Sequence, residues 1–286
     1  MAHRLFKLKL SRIALTCSLA WCVGGGMAAS STVSNKIAAQ AETATVDDIP
    51  DASTVNQDQA TVNAIINAAQ SGGFNSIRDR IADLNTIIDR APASLRAVEA
   101  RNGIVYVRVV DDKECAAKTA VLMVKGVIGA TKNGKWTCVP NPYSISAFIL
   151  GSYLNEVRMP EESIATLDRG LVWSPDYLSL IGEKGVALNM MHRSQQAYQT
   201  YSSGMAAVSQ STPPHERGVL LRGEGYALVE LHRYDEAEVA YREALKVDPA
   251  HGHAAEELVY IASVKAGHPK STPMQITSDV PAANPK

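Results

Sequence analysis

The chain has 286 residues, a formal net charge of -1, 20% charged residues and 6% aromatic residues. So balanced a charge leaves no basic footprint for nucleic acid, which is not an expected partner. The length allows one extended helical array or two small domains, and it is ample for a core.

At the N-terminus, Arg4, Lys7, Lys9 and Arg12 precede the apolar run Ile13 to Ala28, and no acid occurs before Glu42. This is the pattern of a secretory signal, and the run is short of the roughly 20 apolar residues of a bilayer span. Residues 1–28 therefore read as a cleaved signal, with a periplasmic or secreted destination and no stable membrane anchor after cleavage. Of the four cysteines, Cys115 and Cys138 then remain. An even pair in an oxidising compartment reads as a disulfide, with two unrelated buried thiols as the alternative. Residues 29–60 are polar and lack a sustained apolar stripe, so they read as a disordered linker. Residues 267–286 hold four prolines and no periodicity, and they read as a disordered tail.

Between Thr61 and Arg90 apolar residues recur at helical spacing on both sides of Ser71-Gly72-Gly73, which predicts a helical hairpin. Ile104 to Val110 is a β-branched run after Asn102-Gly103, the clearest strand in the chain. Thr119 to Ala130 is apolar enough for strand or buried helix, and its opening helix formers favour helix. A turn at Lys132-Asn133-Gly134-Lys135 leads into Trp136-Thr137-Cys138, a short strand able to pair with 104–110. Residues 61–142 are thus expected to form a small α+β subdomain with a short β-hairpin or two-stranded pairing.

From Tyr143 a pattern repeats. Gly225, Ala237, Tyr241, Ala244 and Pro249 lie at successive offsets of 12, 4, 3 and 5 residues. The same offsets from Gly151 reach Ser163, Leu167, Gly170 and Pro175, and from Gly185 they reach Ala197, Tyr201, Gly204 and Ser209. Gly151 and Gly185 stand 34 residues apart, and Gly185 to Gly225 is six longer, which places a longer loop near 209–214. In this spacing the chain resembles the tetratricopeptide repeat family, exported bacterial type. The resemblance implies a mainly α fold, an array of antiparallel helix pairs of the α-solenoid kind. Its units would cover about 144–177, 178–211 and 218–251, with a closing helix from His253 in a domain spanning 143–266. Small residues at each Gly and its Ser or Ala partner would let two helix axes approach. The hairpin at 61–90 is a candidate degenerate unit. Ala147 is small where the family carries a large residue, and Lys184 and Glu224 are charged where it is apolar. Those departures imply looser inner packing or a neighbouring partner.

No nucleophile elbow, phosphate loop, zinc spacing or dinucleotide glycine pattern occurs after residue 28. His251, His253 and His268 read as surface histidines rather than a metal site. No catalytic residue, cofactor or metal is therefore expected. The resemblance implies a groove lined by the first helix of each unit, and it places Phe148, Ser152, Asn155, Asn189, Met190, Arg222 and Tyr226 there. Asn155 and Asn189 share one repeat position, and amides stacked in that register can hydrogen-bond an extended peptide, although Asn also tolerates a solvated face. The expected function is an exported, non-enzymatic scaffold that binds a protein or peptide. The alternative is an envelope enzyme or a carbohydrate or polysaccharide-assembly factor with its site in residues 94–141.

Overall fold

The computed structural model describes residues 51–92, 95–101, 103–128, 134–209, 212–250 and 252–267. The signal at 1–28, residues 29–50 of the linker, the tail after Gly267 and the histidines His251 and His268 lie outside them. The described residues are mainly helical with a small three-stranded sheet, and they divide into two compact units. One unit contains residues 51–80 and 90–142, the other 81–89 and 143–267.

In the first unit, α1 (Ala52–Gly72) begins nine residues before the predicted hairpin, inside the segment read as linker. Asp51 caps it by accepting from the Thr54 amide at 2.9 Å, and Val55, Val62, Ile65 and Ala69 form its buried stripe. Asp58 sits in that stripe, buried, and its carboxylate pairs with Arg90. Gly73 ends the helix with φ 71°, a conformation in which a side chain is disfavoured. The second half of the expected hairpin is broken into α2 (Asn75–Arg78) and α3 (Ile81–Arg90).

The sheet runs β1 (Val98–Arg101), β2 (Ile104–Val109) and β3 (Lys135–Pro140), in the order β1-β2-β3. β1 pairs with β2 antiparallel, and β3 pairs with β2 in parallel, with Val107 opposite Cys138. The predicted pairing of 136–138 with 104–110 is present, but not as a hairpin. Helix α4 (Asp112–Val124) carries the chain across, and such a crossover returns the next strand parallel. Val105, Val107, Val109, Leu122 and Ile128 form the core, and Cys115 and Cys138 pack on it in a disulfide from α4 to β3. β1 escaped the sequence reading because its inward residue is Glu99, not a hydrophobe. Arg108 of β2 donates to Glu99 at 2.6 Å, with both side chains 3% exposed, and Arg101 lies 3.4 Å from the same oxygen.

The second unit contains α3 and seven helices in sequence: α5 (Pro142–Glu156), α6 (Pro160–Trp173), α7 (Leu178–Met190), α8 (Ser194–Ala207), α9 (Pro214–Glu230), α10 (Tyr234–Val247) and α11 (His253–Lys265). Consecutive helices from α6 to α11 pack on one another. Proline at the start of α5, α6 and α9 costs nothing, because the first amides of a helix have no internal acceptor. One contact recurs through this unit. A Cβ built on Gly151 would stand 2.5 Å from Leu167, one on Gly185 2.3 Å from the Tyr201 ring, and one on Gly225 2.9 Å from the Tyr241 ring. Each large residue of α6, α8 or α10 thus occupies the volume a side chain on α5, α7 or α9 would need. Ser163 adds a buried hydrogen bond from its Oγ to the Gly151 carbonyl at 2.9 Å. Ala147 is small because it abuts Gly170, where a Cβ would lie 2.8 Å away. Helix α11 is fastened to α10 by Lys265, whose Nζ lies 2.5 Å from Asp235 and 2.6 Å from Glu238.

The turns after α5, α7 and α9 each place a non-glycine residue in the left-handed region: Arg158 at φ 64°, His192 at 56° and His232 at 59°. That conformation costs an L residue roughly 1–2 kcal/mol. His192 is exposed, so His192→Gly should raise stability by about 0.5–1 kcal/mol after the greater chain entropy of glycine is subtracted. Thermal or urea unfolding measures it; a loss of stability would show that the His192 side chain makes a contact of its own.

Candidate functional site

The seven residues predicted to line a groove lie on α5, α7 and α9, but their environments differ. Phe148 is half-buried against Tyr177, with ring centroids 5.9 Å apart. Met190 and Tyr226 are also half-buried. Burial, followed by the charges of Glu230 and Glu257, pushes the Tyr226 phenol up to about 12. Arg222 donates to the Asp248 carboxylate at 3.0 Å, and His215 Nδ1 lies 3.5 Å from the same oxygen. The Arg222 charge thus serves an internal pair between α9 and the residue following α10.

Asn155 and Asn189 are not on an open face. They are 6% and 4% exposed. Asn155 Nδ2 donates to the Glu183 carbonyl at 3.1 Å and to its carboxylate at 2.8 Å, joining α5 to α7. Asn189 hydrogen-bonds the Tyr201 hydroxyl. Each amide is therefore engaged within the chain through its nitrogen, while each Oδ1 has no hydrogen-bond partner among the described residues. An amide so deeply buried is costly unless bonded, and Glu183 and Tyr201 supply the bonds.

Glu183 and Tyr201 were absent from the predicted set, and they organise it. Burial raises the Glu183 carboxyl above the usual range, hydrogen bonds from Asn155 and Ser152 oppose this, and the neighbouring Glu156 raises it further. Glu156 is raised as well, by burial first, against the opposing charge of Arg158. The Tyr201 hydroxyl is raised by burial and then by Glu183. Its ring fits between two glycines, since a Cβ on Gly223 would stand 2.2 Å from Cζ, closer even than one on Gly185. The repeat pattern requires Gly225 but not Gly223, and that surplus glycine in Gly-Glu-Gly was the available signal.

The charged departures Lys184 and Glu224 also find internal partners. Lys184 Nζ lies 2.6 Å from Asp168, and Glu224 accepts from Ser202 Oγ at 2.8 Å. An open depression of about 320 Å³ is lined by His232, Arg233, Tyr234, Asp235, Glu236 and Lys265. Its cations are already engaged, Arg233 with Glu236 at 2.6 Å and Lys265 with Asp235. Among the described residues no group of three or more His, Cys, Asp or Glu could hold a metal, and no helix is long and apolar enough to cross a membrane. No protein-family model matches the chain, and no curated protein matches it.

Proposed function

We propose that residues 144–251 are three tetratricopeptide-like units closed by α11, and that the protein is an exported, non-enzymatic scaffold whose α5, α7 and α9 hold a protein or peptide partner. The observation that carries this reading is the recurrence of one contact at three registers: Gly151 on Leu167, Gly185 on Tyr201, Gly225 on Tyr241. A contact repeated in register makes a stack, and a stack lines up equivalent residues of its first helices along one face. The left-handed turn residue that follows each first helix supports the same register. A disulfide between Cys115 and Cys138 suits an oxidising compartment, as export requires.

With the asparagines engaged inside, binding falls to the half-buried Phe148, Met190 and Tyr226, aromatic and sulfur side chains of the kind that anchor interfaces. Affinity capture from envelope extract should recover a partner with the wild type and lose at least about tenfold of it with Phe148→Ala, Met190→Ala, Tyr226→Ala, since each anchor contributes on the order of 1 kcal/mol or more. Circular dichroism of the triple variant checks that the helices persist. Equal recovery from a folded triple variant would overturn the assignment of the face.

A further inference from the structure

Beyond its first turn, α4 turns a face to solvent that carries no polar side chain. Its exposed residues after Glu114 are Ala116, Ala120, Val121, Met123 and Val124, every one apolar, and Val124 is 89% exposed. The other side of the helix is already used: Thr119 and Leu122 are buried there, and Cys115 is bonded to Cys138. A helix on a protein surface normally sets charged and polar residues outward. Trp136 of β3, also exposed, extends the apolar face. It stands two residues before Cys138, so both side chains leave the sheet on the side that α4 covers. Its register partner Val105 shares a core with Leu122.

The free charges beside this face have one sign. No acid occurs in the sequence between Glu114 and Glu156. Asp111, Asp112 and Glu114 sit at the opposite end of α4, where Glu114 holds Lys118 at 2.9 Å. At the apolar end, Lys125 follows the helix and Lys135 opens β3; both are exposed, and neither makes an ion pair among the described residues.

We propose that Val121, Met123 and Val124, with Trp136 beside them and Lys125 and Lys135 at the edge, seat the protein reversibly on an anionic lipid surface. The apolar side chains enter the boundary of headgroups and acyl chains, where interfacial helices bury about 5–10 Å of depth. An indole favours that same level, having an apolar body and a polar N–H. The two ammonium groups then meet lipid phosphates. Size argues for a lipid surface over a protein one. Residues 116–124 rise only about 14 Å on a helix about 10 Å across, small beside the roughly 800 Å² a side of a stable protein interface. A fluid surface needs no complementary shape, and a protruding helix end suits it.

Vesicle sedimentation tests this with protein purified after export, without residues 1–28, so that the apolar run 13–28 cannot bind in its place. Binding to vesicles of phosphatidylglycerol and phosphatidylcholine in equal parts should be at least about tenfold tighter than to phosphatidylcholine alone, each lysine near an anionic surface giving roughly fivefold. Lys125→Gln with Lys135→Gln should remove most of that preference. Val124→Asp, which puts a charge in the face and disturbs no buried contact, should weaken binding at least about tenfold. After residue 28 the tryptophans are Trp136 and Trp173, and Trp173 is 4% exposed. Emission should therefore shift to the blue on binding, and Trp136→Phe should lose the shift. No sedimentation with the anionic vesicles would overturn the proposal, as would equal binding by Val124→Asp or a shift that survives Trp136→Phe. Self-association abolished by Val124→Asp, without vesicle binding, would give the face to a second copy instead.

Discussion

Replacing Gly223 by alanine is expected to destabilise the helical unit by about 2 kcal/mol or more, although helix propensity alone favours alanine by roughly 1 kcal/mol. The new methyl would stand 2.2 Å from Tyr201 Cζ and 2.7 Å from its hydroxyl. The ring cannot retreat, because Gly185 closes on the same atoms from the other helix and Tyr201 is 1% exposed. The hydroxyl would also leave Asn189, so a buried amide would lose its partner. Denaturant unfolding of Gly223→Ala measures the loss, and Gly182→Ala is the control. Gly182 is buried on α7, but its nearest neighbour would be 3.6 Å from the added carbon, so alanine there should stabilise. Truncating the ring with Tyr201→Leu should make the two changes strongly non-additive, as expected for groups in direct contact. A neutral Gly223→Ala variant would mean that Tyr201 is not seated between the two helices.

Removing the disulfide should have a comparable effect in the other unit. Cys115→Ser with Cys138→Ser is expected to cost about 3 kcal/mol, the loop entropy that a bridge of this span withholds from the unfolded chain. The core it braces has five buried hydrophobic residues on β2, α4 and the turn after α4, too few to absorb such a loss easily. Hydrogen exchange should show protection of β2 and β3 collapsing while α7 to α10 keep theirs. Unchanged protection of β2 and β3 would contradict the bracing role.

The helices from Tyr143 onward were legible because their spacing is dictated by small residues, Gly151, Gly185 and Gly225, that no other side chain can replace. The crossover helix and the pairing of Trp136 to Cys138 with 104–110 were legible from propensity, while parallel pairing depends on where the crossover returns. Two elements were hidden by inward acids. Asp58 interrupts the stripe of α1 and Glu99 that of β1, and each became compatible with burial only through a distant arginine, Arg90 or Arg108. The partners of the candidate site were hidden for the same reason. Equivalent positions for Asn155 and Asn189 were visible, but their burial depends on Glu183 and Tyr201 reaching from other helices. Pairings of that range leave no local periodicity to read.

Photo-crosslinking tests whether a partner lies along α5, α7 and α9. A photoreactive residue placed singly at Ser152, Met190 or Tyr226, in cells or native extract, should join the protein to one and the same partner. The same residue at Val172 or Val239, exposed on α6 and α10, should give none. Crosslinks to that partner only from Val172 and Val239, or equally from all five positions, would show that it does not.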